Sequence, residues 1–286
     1  MPRIVSFLPA GTEIVAALGA GDQLVGRSHE CDYPGSVREL PVVSRPALEL
    51  GGLTQAEIDV AVATRLRSGE SLYLVDEELL RALEPDVILT QDLCQVCAPS
   101  GNELSRAITT LPRKPEVLYL TPRTLAEIDK NILAVGRAIG REREAVALIE
   151  ANRERLKAVG ASTQGKPQRR VVFLEWTDPF YCAGHWVPEM IETAGGEPLL
   201  GTAGEKSRRV TWEQVHAADP EVVVVAPCGF DRAGSQALAD QLVASGALPV
   251  GVPVHAVDAN AAWARPGARL IDGVEELAAL LDQFPR

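Results

Sequence analysis

Residues 124–159 read TLAEIDKNILAVGRAIGREREAVALIEANRERLKAV, and the interpretation of this stretch decides the fold. Up to Gly140-Arg141, the residues Leu125, Ile128, Ile132, Val135 and Ile139 recur at steps of three and four, the spacing that gathers one apolar face of a helix. Beyond that break Ala145, Leu148, Asn152, Leu156 and Val159 resume the stepping. Neither Gly nor Pro occurs between Arg141 and Val159, whereas a flexible linker would be rich in them. A helix of about twenty residues is ~30 Å long, roughly the width of a small domain. The pattern predicts a first lobe over residues 1–140, a stiff backbone helix over 141–160 and a second lobe over 161–286, with 124–139 packed on the first lobe.

Outward from this span, short apolar runs alternate with helical ones, the signature of a mainly parallel sheet covered by helices. Residues 4–8, 24–27, 71–75, 85–90 and 117–120 read as strands of the first half. Gly11-Thr12-Glu13 opens a helix, Thr54-Gln-Ala-Glu57 is a capping box, and Asp76 caps a further helix. Gln164-Gly-Lys-Pro167 marks a boundary, after which 170–176, 221–225 and 252–257 read as strands and 188–194, 211–218 and 269–281 as helices. The halves echo one another. Glu78-Leu-Leu-Arg-Ala-Leu-Glu-Pro85-Asp-Val-Ile-Leu-Thr90 lies over Glu213-Gln-Val-His-Ala-Ala-Asp-Pro220-Glu-Val-Val-Val-Val225, each a helix, an acidic residue, a proline and an apolar strand. Two similar α/β lobes follow as the expected fold class.

At 286 residues the chain has room for two domains of ordinary size, and 46% hydrophobic with 23% charged residues is the composition of a folded protein. A net charge of -11 opposes a polyanionic partner such as nucleic acid, and Arg169-Arg170 and Arg208-Arg209 are isolated basic pairs. No apolar run approaches the roughly eighteen residues a membrane span requires. Residues 3–7 read as a strand and not as a secretory leader. Five cysteines, including the close pair Cys94 and Cys97, fit a reducing compartment better than a disulfide framework. The expected location is the cytoplasm, or an extracytoplasmic space if a signal peptide has been removed.

In open parallel sheets the loops beyond the carboxyl ends of the strands line the ligand crevice. That rule selects residues 9–12, 29–34, 91–99, 177–186 and 260–266. Trp176, Phe180, Tyr181, Trp186 and Trp263 fall in or beside these loops, although aromatics are only 5% of the chain. Such a lining suits a bulky, flat, largely apolar ligand; the competing reading is that loop aromatics anchor loops to the core. Gly-x-Ser-x-Gly, Walker A and Gly-x-Gly-x-x-Gly signatures are absent. The thiols are the chemical alternative. Cys94 and Cys97 with His29 and Cys31 could supply four soft ligands for zinc, or one axial ligand for a metal carried by the bound molecule. Structural zinc ordinarily shows two close pairs, and only one is present, so buried or idle cysteines compete with that reading. His185, in Ala-Gly-His-Trp, reads equally as a loop hydrogen-bonder or a ligand; His216 and His255 read as structural.

Together these residues resemble the helical-backbone substrate-binding proteins of ABC importers, and within them the cobalamin-binding branch more than the ferric-siderophore branch. The likeness spans essentially the whole length. It rests on Ile-Val-Ser-Phe-Leu-Pro-Ala-Gly-Thr-Glu13, Cys-Asp-Tyr-Pro34, Leu-Glu-Pro-Asp-Val-Ile-Leu89, Asp-Pro-Phe180 followed by Ala-Gly-His185, and Trp-Ala-Arg-Pro-Gly267. It implies two α/β lobes joined by one rigid helix, with cobalamin or a related corrinoid clamped between them, no cofactor of the protein's own and no reaction catalysed. By the same resemblance Tyr33, Phe180 and Arg265 contact the ligand. Gln91 and Arg45 stand at or near positions where that branch uses tryptophans, and Trp176, Trp186 and Trp263 compensate from the other lobe. His29, His185 or a cleft cysteine such as Cys94 would replace water on cobalt. The resemblance also implies docking on an ABC permease through one glutamate per lobe, Glu78 and Glu213, the pair that the repeat aligns; solvent-facing helix glutamates are the competing reading.

Two departures stand out. Residues 48–75 exceed what the periplasmic binder has there, adding a strand or covering the cleft. The thiols and the missing leader describe an intracellular relative that holds a corrinoid without an importer. Two alternatives are carried. A haem or ferric-siderophore binder would use Arg45, Arg123 and Arg265 on anionic groups, and a metal- or thiol-dependent enzyme would use His29, Cys31, Cys94 and Cys97.

Overall fold

The computed structural model describes residues 1–91 and 102–284. The chain folds as two compact units, Met1–Pro122 with Glu127–Glu150 and Arg123–Ala126 with Ala151–Arg286.

The sheet of the first unit contains β1 (Ile4–Ser6), β2 (Leu24–Ser28), β3 (Val42–Pro46), β4 (Tyr73–Val75), β5 (Val87–Thr90) and β6 (Glu116–Tyr119), in the order β4-β3-β2-β1-β5-β6. Neighbours are parallel except β4, which runs antiparallel to β3 and forms an edge. The central strands β1 and β5 are buried at every residue, so their sequences are continuous apolar runs and do not alternate. The helices are α1 (Pro9–Ala17), α2 (Gln55–Arg67), α3 (Glu77–Leu83), α4 (Asn102–Thr109), α5 (Leu125–Ala138) and α6 (Glu142–Thr163). Thr54 and Glu57 make the expected reciprocal capping box on α2, and the Asp76 carboxylate accepts the Leu79 N–H at the start of α3. The break between α5 and α6 is Gly140 at φ 72, a backbone state natural to glycine. α6 is continuous across the boundary between Glu150 and Ala151.

The second sheet is organised on β7 (Arg169–Thr177). With it stand β8 (Phe180–Cys182), β9 (Gly196–Leu199), β10 (Arg208–Arg209), β11 (Val222–Val225) and β12 (Val254–Ala256), in the order β10-β8-β7-β11-β12 with β9 also on β7. Besides β11, β7 is long enough to take two further partners: β9 runs parallel to Arg169–Val172, and β8 returns antiparallel along Leu174–Thr177. The helices are α7 (Val187–Thr193), α8 (Trp212–Ala217), α9 (Arg232–Ser245), α10 (Ala259–Ala262) and α11 (Leu270–Leu281). Val172, Leu174, Val223 and Val225 centre the core beneath α9.

Several expectations need correction. Residues 9–12 are not a loop: Pro9 starts α1, and Gly11 lies so close to β1 and β5 that a Cβ would stand 3.0 Å from Ser6 Oγ and 3.1 Å from Leu89 Cβ. That glycine serves helix–strand packing and not a turn. Arg45 sits in β3, paired with Leu74 of β4, and not in a loop. Residues 48–75 hold the helix α2 and the strand β4. α9 and the β8 hairpin were not legible from periodicity.

Candidate functional site

In the first unit, β2 delivers the polar segment 29–34. His29 is three-quarters buried; its Nδ1 lies 3.1 Å from the Ser44 carbonyl oxygen and its Nε2 3.7 Å from Glu30 Oε1. Burial is the main cause that lowers its pKa, with Arg27 adding to it against the Ser44 contact. Cys31 is 1% exposed and its sulfur accepts the Thr12 hydroxyl at 3.0 Å, so it packs against α1. Cys94 and Cys97 lie outside the described residues. Among the described residues no group of three or more His, Cys, Asp and Glu side chains is placed to hold a metal ion. Tyr33 is 48% exposed beside a cis peptide to Pro34, Arg45 is exposed, and Gln91 is buried at the end of β5.

In the second unit, the β7–β8 hairpin gathers aromatic side chains. Trp176 is half-buried, lies 6.1 Å edge-on from Phe230 and is paired in register with Tyr181; Phe180 is paired with Thr177 and packs on the core. Phe230 was not among the expected residues. It follows β11 at its carboxyl end, where the loop rule applies equally. Trp186 and Trp263 are different. Both are buried, the Trp186 indole N–H donates to the Trp263 carbonyl at 2.9 Å, and Trp263 lies tilted against Phe173 with ring centroids 4.7 Å apart. They anchor the 260–266 segment to the core, which corrects the expectation that they face a ligand. Arg265, 9% exposed, follows directly.

His185 adopts φ 52, and its backbone is clamped both ways: its N–H donates to Glu205 O, and its carbonyl accepts the Gly204 N–H. Its Nε2 is buried without a hydrogen-bond partner among the described residues. Burial first, then Arg123 and Lys206, depress its pKa. Arg123 belongs to this unit through the 123–126 segment, which Glu189 secures by accepting the Leu125 N–H at 2.7 Å.

Glu78 and Glu213 occupy the same place on equivalent helices. Each is exposed, two positions past the capping residue, Asp76 or Thr211. The Thr211 hydroxyl holds the Glu213 carboxyl below the ordinary range.

Two α/β units built on mainly parallel sheets, with one long helix shared between them, define a class of two-lobed ligand binders. Residues 4–248 match the periplasmic binding protein family, and the chain belongs to it. A vitamin B12-binding protein of Yersinia pestis is 24% identical over 288 residues, covering 99% of this chain and 87% of that one. The fold is shared with the periplasmic haem-binding protein HutB of Vibrio cholerae, at TM-score 0.72 and 22% identity over 99% of each chain. It is likewise shared with the vitamin B12-binding protein BtuF of Vibrio cholerae, at TM-score 0.66 and 23% identity over 98% and 96%. The expected kinship with helical-backbone substrate-binding proteins is thereby borne out, and these relatives are binding proteins. No helix of the described residues is long and apolar enough to cross a membrane.

Proposed function

We propose that the protein is a non-enzymatic binder of cobalamin or a related corrinoid. The observation that carries this reading is the match, along 99% of the chain, to a curated vitamin B12-binding protein. Exposed Tyr33 in the first unit, with Trp176, Phe180 and Phe230 in the second, supports it. A corrin is a broad disc with an apolar face and an amide rim, and aromatic planes with a few polar groups suit such a shape. His29, His185 or a cleft cysteine such as Cys94 is the candidate to replace water on cobalt; His29 is partly exposed and the His185 Nε2 has no hydrogen-bond partner among the described residues. In this reading an extracytoplasmic protein would dock an ABC permease through Glu78 and Glu213, whereas a cytoplasmic protein, in the expected location, would hold the corrinoid without an importer; cell fractionation separates the two.

A second reading, haem, is favoured by the higher TM-score to HutB, 0.72 against 0.66 for BtuF. Visible-absorbance titration with cyanocobalamin, aquocobalamin and haemin separates the two. Saturable corrinoid binding supports the first reading, and haemin binding alone the second. No saturable binding of a corrinoid at high micromolar concentration sinks the first. Axial replacement predicts a shifted spectrum for aquocobalamin and an unshifted one for cyanocobalamin. Stoichiometric zinc or iron in protein purified without chelator would instead favour an enzyme using His29, Cys31, Cys94 and Cys97.

A further inference from the structure

His29 stands just beyond the carboxyl end of β2, where ligand contacts of an open parallel sheet gather, and the next strand holds its ring. Ser44 of β3, 2% exposed, is paired with Ser28 on one side and Val75 on the other. Its carbonyl oxygen accepts the His29 backbone N–H at 3.1 Å and lies 3.1 Å from His29 Nδ1 as well. A carbonyl can only accept, so Nδ1 carries the hydrogen and, in the neutral ring, Nε2 carries the lone pair. Metal-binding histidines are oriented in this way, the other ring nitrogen donating to a carbonyl or carboxylate. Tyr73 flanks the ring at 5.9 Å, and a quarter of the side chain stays exposed.

Glu30 Oε1, 3.7 Å from Nε2, is too far to hydrogen-bond with it but close enough to offset positive charge placed there. A single imidazole does not hold a free ion, yet it completes the coordination of a metal whose other positions a macrocycle fills. The other described candidates are more enclosed: Cys31 is 1% exposed and accepts the Thr12 hydroxyl at 3.0 Å, and the His185 Nε2 is buried. Resting on the corrinoid reading above, we infer that His29 selects the axial state of the corrinoid. Its Nε2 takes the place of water on cobalt, so the protein prefers aquocobalamin to corrinoids whose axial position is blocked by cyanide or an alkyl group. The exchange forms a cobalt–nitrogen bond, releases the water and changes neither the proton count nor the oxidation state. Aquocobalamin is a cation and cyanocobalamin is neutral, so Glu30 acts in the same direction.

Titration of the full chain with aquocobalamin and with cyanocobalamin gives the affinity ratio. The wild type is expected to bind aquocobalamin at least about tenfold more tightly, and His29→Ala to bring the two affinities within about threefold. A second measurement needs no variant and stands if His29→Ala does not fold. Wild type is loaded in phosphate buffer with diaquocobinamide, which lacks the nucleotide base, and the cobalt is reduced to its divalent state. Nitrogen splitting in the electron paramagnetic resonance spectrum is expected, since only the protein can supply an axial nitrogen. Equal affinities in the wild type, or cobinamide binding without nitrogen splitting, overturns the inference and leaves the corrinoid reading standing. A preference that survives in folded His29→Ala overturns it too, and its loss in His185→Asn passes the role to that residue. No binding of any corrinoid overturns both.

Discussion

Glu84 and Asp219 hold the same left-handed corner in the two units, at φ 42 and φ 49. Each ends a helix, α3 or α8, and each precedes a proline and a second carboxylate. Those second carboxylates also act alike: Asp86 accepts the Arg3 N–H and Glu221 the Arg170 N–H, both at 2.9 Å. The strands then enter in matching register, Ile4 beside Val87 and Val171 beside Val222. The repeat in sequence is therefore a repeat of backbone geometry.

Both corners are exposed, so substitutions there act through the backbone. A β-branched residue is poorly tolerated in the left-handed region, and Glu84→Val should destabilise by about 1–2 kcal/mol. Glu84→Gly should be neutral or stabilise by up to ~1 kcal/mol. Asp219→Gly should gain less, because Asp219 Oδ2 also accepts from Arg170 at 3.0 Å. Urea midpoints at constant slope check the order Gly at or above wild type, then Val.

The buried Trp263 depends on a glycine in α11. A Cβ at Gly273 would stand 2.7 Å from the Ala262 carbonyl oxygen and 3.0 Å from Trp263 Cε2. Helix propensity alone favours Ala at this position by about 1 kcal/mol. Overpacking against backbone should outweigh that, so Gly273→Ala is expected to lose about 1–3 kcal/mol. A more stable variant in thermal unfolding would contradict the assigned packing.

How much of this was legible follows from which signals are local. The stepping through 124–159 located both α5 and α6 and their break, because periodicity and a left-handed glycine are written in the sequence itself. The capping residues Thr54 and Asp76 were legible for the same reason. β3 was not: it is short, holds a proline and is exposed at Val42, Arg45 and Pro46. α9 carries Gly234 in its first turn, which masks a helical run that Asp231 caps. Among the aromatics, Trp176 and Trp263 look alike as loop-flanking tryptophans. Only tertiary packing separates the half-buried one from the one packed against Phe173.

His185 makes stability depend on pH. Burial holds its folded pKa below the ordinary 6.5, with Arg123 and Lys206 reinforcing the shift. Below 6.5 the unfolded chain then binds more protons than the folded one, so stability is present above that pH and is lost as pH falls through it. His29 and His255 are lowered by burial in the same sense. His185→Asn keeps a residue tolerant of φ 52 and should flatten part of the loss between about pH 7 and 5. An unchanged slope in urea unfolding across that interval would exclude His185 as a contributor.

Trp176 and Trp263 should separate ligand binding from folding. Trp176 is half-buried at the end of β7 with Phe230 edge-on beside it, so truncation removes an aromatic face while the sheet beneath, β11 on β7, keeps its pairing. Losing such a face costs about 1–2 kcal/mol, which is about five- to thirtyfold in affinity. Trp176→Ala is thus expected to weaken cyanocobalamin binding by about that factor while shifting thermal stability little. Trp263→Ala removes a fully buried ring and the support for the 260–266 segment, and should cost about 3–5 kcal/mol of stability. If instead Trp176→Ala binds as tightly as wild type, the β7–β8 hairpin is not part of the proposed corrinoid site, and Tyr33→Ala becomes the deciding variant for the first unit.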